Sequence, residues 1–150
     1  MNKYLLRFCK HGNMRFISHL DINRLFRRAI KRAEIKIAFS SGYNPHEKMN
    51  VVQPLSLGFE SEGEYLEIIT LINYDPSDLM HMLNHSMPEG ISFIDCREIP
   101  LDLSVTNLTS AASYNVKVKL QEDDYFKIDI YSFLDMIYKY NHIYHKLYNY

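Results

Sequence analysis

The sequence has little of what metal clusters and membrane anchors require. Its 150 residues include only two cysteines, Cys9 and Cys96, no tryptophan, five glycines and five prolines. Because no CxxC pair or longer cysteine cluster occurs, the sequence argues against an iron–sulfur or zinc site in this chain. No apolar run approaches the roughly 18 residues of a membrane span, and the charged N-terminus does not resemble a signal peptide. We therefore expect a reduced, cytoplasmic protein with no cofactor and no membrane partner.

What is present is the composition of an ordinary folded domain with an uneven charge distribution. Hydrophobic residues make up 47% of the chain and charged residues 23%, which is typical of globular proteins. Residues 1–48 contain eleven Lys/Arg and three Asp/Glu, a net charge of +8, whereas residues 49–150 contain six and fifteen, a net charge of -9. This asymmetry indicates a polyanion-binding surface on the first part. The alternative is that the acidic part balances the basic part by direct contact.

The distribution of aliphatic and aromatic residues predicts an α+β domain over residues 1–100. Runs of such residues bounded by turn signals predict strands, which we place at 3–10, 35–39, 50–59, 64–72 and 91–96. Pro54 indicates that the 50–59 stretch is an edge strand or contains a bulge. With the two helices described next, the order is strand, helix, strands, helix, strand. This is the order of a split βαβ, ferredoxin-like domain.

Capping signals set the predicted starts of both helices. Ser18 is the predicted N-cap of the first helix, with Asp21 as its capping-box partner, and the helix is expected to run to about Glu34. Its buried stripe is predicted from apolar residues at helical spacing: Ile22, Leu25, Phe26, Ala29, Ile30 and Ala33. Asp75 followed by Pro76 predicts the start of the second helix.

The last third of the chain predicts a partial second αβ unit. Residues 101–113 are small and polar, which is typical of a connector. Residues 114–150 contain one strand pattern and one tyrosine-rich helical pattern. Because one strand and one helix cannot close a separate domain, we expect residues 114–150 to form an incomplete second half.

The first helix also carries a basic pattern. Five cations occupy the surface outside the apolar stripe: Arg24, Arg27, Arg28, Lys31 and Arg32. Close like charges on a helix cost roughly 0.2–0.5 kcal/mol per pair, a cost that a bound anion would more than offset. Since guanidinium groups match phosphate oxygens, the best candidate phosphate ligands along the chain are Arg7, Arg15, Arg24, Arg28 and Lys48. The alternative is a solvated basic face without a ligand.

The stretch "SSGYNPHEK", residues 40–48, contains aromatic, imidazole and ammonium side chains that a turn does not require. Gly42, Asn44 and Pro45 supply the backbone conformations of a turn. Tyr43, His46 and Lys48 are not needed for turning, and an exposed tyrosine can stack on a nucleic-acid base. We therefore interpret the loop as a candidate ligand-binding segment that includes Gly42 and Asn44 and lies next to His19.

His19 directly follows the predicted N-cap of the first helix. An imidazole there can act as a general base toward a ribose 2′-hydroxyl, or it can simply pack in the first turn. With Asp21 and His46 it would form a small polar cluster, but two histidines and a carboxylate at scattered spacing are a weak metal signal. We predict a ligand-binding role for His19, no metal site and no assigned catalytic residue.

The runs "RFCKHGNMRFISHLDINRLFRRAIKRA" and "SSGYNPHEKMNVVQPLSLGFESEGEYLEI" together resemble the bacterial radical-SAM-linked protein family, a domain of unknown function (DUF2344). The resemblance covers roughly residues 4–95. In the first run it rests on Arg15, Phe16, Ser18, His19, Leu20, Asp21 and Leu25. In the loop it rests on Ser41, Gly42, Asn44, Pro45, His46 and Lys48, with Glu47 standing where the family usually has a second proline. Farther on it rests on Pro54, Leu55, Leu57, Gly58, Glu60, Glu64, Tyr65 and Leu66.

The resemblance implies a partner more than an activity. Family members are fused to, or encoded beside, radical SAM proteins, and they often lie near genes for ribosomal proteins and an RNase. A radical SAM enzyme needs a three-cysteine cluster motif, which this chain lacks, so the radical chemistry would belong to another polypeptide. A weaker likeness connects the chain to the ferredoxin-like RNA-binding and RNA-cleaving proteins of CRISPR systems, some of which have a histidine at the start of the first helix, as His19 is here.

Three functions follow from the sequence and this resemblance. The first is an accessory domain that binds RNA or another anionic ligand for a radical SAM RNA-modifying enzyme, without catalysis in this chain. The second is a metal-independent RNase that uses His19. The third is a protein-docking subunit of a radical SAM enzyme. Cleavage of RNA without metal would favour the second, and binding insensitive to salt would favour the third.

Overall fold

A computed structural model describes residues 1–108 and residue 115 of the chain. The chain divides into two compact units, Met1–Ser110 and Ala111–Tyr150, and the fold is described for the first. The strand and helix predicted for residues 114–150 lie outside the described residues. Among the helices of the described part, none has both the length and the apolar character needed to cross a membrane.

The first unit is built on a four-stranded antiparallel sheet. Its strands are β1 (Asn2–Lys10), β2 (Met49–Val52), β3 (Ser61–Thr70) and β4 (Ile91–Ile99), and its helices are α1 (His19–Arg32), α2 (Pro76–His85) and the short α3 (Val105–Leu108). The strands lie in the order β2-β3-β1-β4, and every neighbouring pair is antiparallel. This arrangement confirms the predicted α+β class and is compatible with the ferredoxin-like fold.

The core lies between one face of the sheet and the two long helices. Tyr4, Leu6 and Phe8 alternate along β1 and are completely buried, as the two-residue period of a strand requires. Phe26 of α1 packs edge-on against Phe8, with 5.0 Å between ring centroids, and also contacts Phe93 of β4 at 5.6 Å. The predicted stripe of α1 therefore faces the sheet, although Leu25 and Ala33 at its margins are only partly buried.

The predicted N-cap residues of both long helices are confirmed, although the Asp21 carboxylate accepts from the Ser18 hydroxyl rather than from the Ser18 backbone N–H of a capping box. The Ser18 hydroxyl accepts a hydrogen bond from the Asp21 backbone N–H at 3.2 Å and donates to the Asp21 carboxylate at 2.7 Å. Asp75 accepts hydrogen bonds from the backbone N–H groups of Ser77 and Asp78, with Pro76 as the first helical residue. Both helices thus begin where a side chain satisfies backbone donors that have no partner within the helix.

Several predicted boundaries differ from the structure. Helix α1 ends at Arg32, and Glu34 beyond it has a φ of +54°, which cannot continue a right-handed helix. Residues 35–39 form no strand but contribute two isolated bridges, Ile37 with Thr70 and Phe39 with Glu47. Strand β2 ends at Val52, because Gln53 has a φ of +47°. The predicted extended stretch 50–59 is therefore a short strand followed by a loop.

The sheet face opposite the long helices is crossed by residues 101–108, the described part of the predicted connector. The Lys3 ammonium donates to the Leu103 carbonyl, and the Val105 N–H donates to the Glu67 carboxylate at 3.2 Å. Asn50 of β2 donates to the Thr106 hydroxyl at 3.2 Å. We call residues 101–108 the strap. It is held to this face by polar bonds from three different strands.

Candidate functional site

The structure distributes the predicted ligand-binding residues over several places in the fold. Arg24 and Arg28 lie on the exposed side of α1, and His19 is its first residue. Arg7 lies on the sheet face that carries the strap, because it alternates with the buried core residues of β1. Arg15 belongs to a 3₁₀ helix between β1 and α1. These positions cannot all contact one small ligand.

The exposed side of α1 carries cations that form no ion pair with a carboxylate of the described residues. Arg24 forms a 2.9 Å ion pair with Asp21, and Arg27 lies 3.5 Å from Glu47. Within the described residues, no Asp or Glu oxygen lies within 4.0 Å of the charged groups at three other α1 positions: Arg28, Lys31 and Arg32. The basic surface predicted from the sequence therefore persists in the fold. We call these three residues the unpaired cations.

The acidic second part of the chain contacts the basic first part elsewhere. Lys3 pairs with Glu67 at 3.0 Å on the strap face, and Arg15 lies 3.5 Å from Glu60. The Glu60 carboxylate also accepts a hydrogen bond from the Gly12 N–H at 3.0 Å. Direct contact thus neutralises part of the charge asymmetry, but in the described residues it does so away from the unpaired cations.

A groove runs beside these cations, between α1 and the C-terminal end of α2. Its volume is 820 Å³, and it is lined by apolar and polar residues of both helices and their flanks: Ile17, Asp21, Leu25, Arg28, Arg32, His85, Ser86, Met87 and Pro88. Arg32 donates a 2.6 Å hydrogen bond to the Ser86 carbonyl. Arg32 therefore joins the two walls, since its charge favours the C-terminal end of a helix. The groove offers an open, partly apolar channel with guanidinium groups along one wall.

Arg7 contributes to a different surface. Its cross-strand neighbours are Tyr65 on β3 and Asp95 on β4, and its guanidinium donates to the Glu62 carbonyl at 3.3 Å. A Cβ atom built at Gly63 would lie 2.5 Å from Arg7 Nε. The guanidinium thus lies against the bare backbone of Gly63 on the strap face.

The loop of residues 40–48 is closed at its base and exposed at its tip. Ser40 N–H donates to the His46 carbonyl at 2.8 Å, and the His46 N–H donates to the Ser40 hydroxyl at 2.9 Å. Tyr43 at the tip is fully exposed. The Arg27–Glu47 contact places the loop base beside the middle of α1. Arg27 follows His19 by eight residues, about 12 Å along a helix, so this contact lies beyond the first turn of α1, and the predicted position of the loop next to His19 stays a prediction.

His19 lies in a local polar network at the start of α1. The Asn23 side-chain amide contacts His19 Nε2 at 2.9 Å and donates to the His19 carbonyl at 3.0 Å. Asp21 is held by Ser18 and by Arg24, and these two hydrogen bonds lower the pKa of the Asp21 carboxyl. Within the described residues, no three His, Cys, Asp or Glu side chains form a group that could hold a metal ion. His19, Asp21 and His46 accordingly form no such cluster.

A small cavity beside His19 contains two charged residues that sequence reasoning did not place in the site. Its volume is about 10 Å³, and its lining includes Lys10 of β1, Glu64 of β3 and His19. Lys10 is only 2% exposed. Lys10 occupies a core-facing position of β1, two residues after Phe8, where an apolar residue is the usual choice. A lysine at a core-facing position of a strand is therefore the feature of the sequence that could have indicated this site.

Burial acts on both charged groups of the cavity. It lowers the pKa of the Lys10 ammonium, while the Glu64 charge acts in the opposite direction. It raises the pKa of the Glu64 carboxyl, against the hydrogen bond from Ser61 and the charge of Lys10. Removing a charge from water favours its neutral form. The two shifts bring the pKa values of Glu64 and Lys10 closer together. Such perturbed pairs are common in functional sites of proteins.

Comparison of the sequence with known protein families identifies one family that matches the chain. The sequence profile of DUF2344, described as an uncharacterized protein conserved in bacteria, matches residues 3–141. The match extends over both compact units and so includes all the surfaces described above. No curated protein gives a significant match to the chain.

Proposed function

The chain belongs to the DUF2344 family of bacterial proteins, and we propose that it is an accessory domain that binds RNA for a radical SAM RNA-modifying enzyme. In this proposal the chain positions the RNA. The radical chemistry belongs to the partner polypeptide, since the present chain lacks a three-cysteine motif for a cluster.

The observation that supports RNA binding most is the row of unpaired cations on α1 beside the groove. Arg28 and Lys31 make no hydrogen bond or ion pair with other described side chains, so their charges are available to a ligand. Arg32 lines the same groove. A row of cations along a channel tracks a phosphate backbone and neutralises it. The apolar lining supplied by Leu25, Met87 and Pro88 suits the sugar and base surfaces.

The salt dependence of binding tests this proposal. Each neutralised phosphate of a single strand contributes about 0.7 to the slope of log K against log salt. In the double variant Arg28→Gln/Lys31→Gln, the slope for a single-stranded RNA should fall by about 1.4. Arg32 is left unchanged because its bond to Ser86 supports the end of α2.

A matched control removes two positive charges from the strap face. Arg7→Gln/Arg97→Gln changes the net charge by the same amount on the opposite side of the sheet. We expect this control to retain the wild-type slope. A slope reduced by the control and not by the α1 variant would transfer the RNA site to the strap face. The protein-docking function would be supported instead if the chain bound no RNA and if its affinity for the radical SAM partner did not change with salt concentration.

A metal-independent RNase is the second candidate, and the cavity beside His19 is the observation that favours it. General acid–base cleavage of RNA needs two titratable groups near one 2′-hydroxyl. His19 shares the cavity lining with Lys10 and Glu64. Incubation of the purified protein with RNA in the presence of a chelator distinguishes this candidate from a binding domain, as described in the Discussion.

A further inference from the structure

In the cavity beside His19, Lys10 supplies a hydrogen-bond donor and Glu64 supplies a hydrogen-bond acceptor. Each of these groups can form a further hydrogen bond. Among the described residues, Lys10 Nζ makes no hydrogen bond, and no carboxylate oxygen lies within 4.0 Å of it. One oxygen of Glu64, Oε1, accepts a 2.9 Å hydrogen bond from Ser61. Within the described part of the chain, the other oxygen accepts no hydrogen bond. Lys10 is only 2% exposed, but no side-chain nitrogen or oxygen of the described residues is both fully buried and without a hydrogen-bond partner, so the Lys10 ammonium lies at the accessible edge of the cavity.

The size of the cavity limits what can complete these bonds. A cavity of about 10 Å³ admits roughly one oxygen atom, since one water needs about 10–15 Å³ on the same measure. A phosphate or carboxylate oxygen would meet the negative charge of Glu64, and an ammonium would meet the positive charge of Lys10. A hydroxyl group avoids both conflicts, because it accepts from one neighbour and donates to the other.

The position of the cavity indicates which hydroxyl could reach it. Among its lining residues, His19 and Pro54 are exposed, so the cavity opens between the first turn of α1 and the segment after β2. His19 begins the same helix that carries the unpaired cations. A nucleic acid that follows this helix would pass the opening with its sugars.

We propose that this cavity binds the 2′-hydroxyl of a ribose, with Lys10 donating a hydrogen bond to the hydroxyl oxygen and Glu64 accepting a hydrogen bond from the hydroxyl group. The proposal rests on the RNA-binding function above and adds a reason for choosing RNA over DNA. The 2′-hydroxyl is the group by which a protein distinguishes the two at a single site.

The test compares single strands of one sequence that differ at the 2′ position. Oligouridine is compared with its 2′-deoxy, 2′-fluoro and 2′-O-methyl forms at several salt concentrations. Hydrogen bonds to charged groups are worth enough for a tenfold to hundredfold preference, so we expect the wild type to bind the ribo form about ten to a hundred times more tightly. The 2′-fluoro form should bind like the deoxy form, because it keeps an RNA-like sugar but cannot donate a hydrogen bond.

Two variants assign this preference to the cavity. Glu64→Leu removes both acceptor oxygens, and Lys10→Met keeps the length of the side chain while removing the ammonium donor. Each should bring the ribo and deoxy forms to within about threefold of each other while the salt slope stays unchanged. The matched controls Glu62→Leu and Lys36→Met remove exposed charges outside the cavity and should keep the full preference. Thermal unfolding of each variant verifies that it is folded.

The outcomes separate the two proposals. Equal binding of ribo and deoxy forms by the wild type, with a normal salt slope, would mean that the cavity holds a structural water only, and it would leave RNA binding through α1 intact. A preference that persists in Glu64→Leu would place 2′-hydroxyl recognition elsewhere and overturn this assignment. Failure to bind any of the oligonucleotides would overturn both proposals together.

Discussion

Lys3 and Glu67 form an ion pair on the strap face, with 3.0 Å between Lys3 Nζ and Glu67 Oε1 and each side chain only 10% exposed. Both partners also hold the strap, Lys3 through the Leu103 carbonyl and Glu67 through the Val105 N–H. A single pair of charges therefore joins β1 and β3 and fixes residues 101–108 across the sheet.

Removing one partner of the Lys3–Glu67 ion pair should lower the free energy of unfolding more than replacing both partners with apolar residues. Removing one partner of a buried pair leaves an uncompensated charge and typically costs 3–5 kcal/mol, whereas an apolar replacement of both is often nearly neutral. We expect Glu67→Gln to lower the free energy of unfolding by about 3 kcal/mol. Lys3→Met/Glu67→Leu should cost clearly less than this, as measured by urea denaturation. A double variant as unstable as the single one would show that the bonds to the strap contribute more than the charge pair.

The same carboxylate should make stability depend on pH in acid. Burial acts to raise the pKa of Glu67, but hydrogen bonds from Lys3, Asn50 and Val105 outweigh burial and lower it below its ordinary value of 4.5. A lowered pKa in the folded state gives stability that is present above pH 4.5 and is lost as the pH falls through the folded pKa. The difference in urea midpoint between wild type and Glu67→Gln should therefore hold from pH 7 to about 4.5 and shrink below it. Glu62→Gln, at an exposed position of the same strand, serves as the control and should show no such trend.

Phe26 should be the most costly residue of α1 to truncate. It is 1% exposed and contacts the rings of Phe8 and Phe93. Phe26→Ala should lower the free energy of unfolding by roughly 3–5 kcal/mol, because it removes transfer energy and leaves a cavity. Leu20→Ala, on the same helix but 67% exposed, should cost less than about 0.5 kcal/mol. Similar costs for the two variants would mean that α1 faces the sheet differently.

Neither cysteine should react while the protein is folded. Burial, with the charges of Asp95 and Asp75, raises the pKa of the Cys96 thiol to about 12, and the thiolate is the reactive form. Cys9 is buried, with its sulfur 2.9 Å from the Ser92 hydroxyl. Iodoacetamide at pH 8 should label no thiol in the native protein and both in guanidinium chloride, as mass spectrometry would show. The variant Tyr43→Cys, at a fully exposed position, should acquire one label at once, and rapid labelling of Cys96 would contradict the structure.

His19 should shape the ligand site without transferring a proton. Its Nε2 atom lies 2.9 Å from the Asn23 amide nitrogen, and the same amide donates to the His19 carbonyl at 3.0 Å, so the imidazole is tied to the first turn of α1. Wild-type protein should therefore leave total cellular RNA intact in chelator at neutral pH, and His19→Ala should weaken RNA binding only modestly. Sequencing of fragment ends provides the measurement. Since an acid–base catalyst contributes about a hundredfold to ten-thousandfold in rate, site-specific 2′,3′-cyclic phosphate ends that disappear in His19→Ala would identify the protein as an RNase.

Local chemistry determined the elements that the sequence predicted correctly. The Ser18 and Asp75 caps depend on side chains that bond to backbone groups within three residues, so their effect is visible in a short window of sequence. The stripe around Phe26 and the alternation of β1 depend only on the periods of helices and strands. The order of these elements was then sufficient to predict the α+β class and its ferredoxin-like topology.

Tertiary structure decided which of the charged residues share a surface. Residues 35–39 have the composition of a strand, but only two of them pair, because strand pairing is a property of the partner as much as of the segment. Arg7 and Arg28 were grouped by residue type, yet β1 and the exposed side of α1 direct them to opposite sides of the sheet. Lys10 and Glu64 lie 54 positions apart in sequence, and they line one cavity because antiparallel pairing of β1 with β3 brings them together. Sequence supplied the charges and the periods, whereas the long-range pairing of strands, which no short window contains, set their partners.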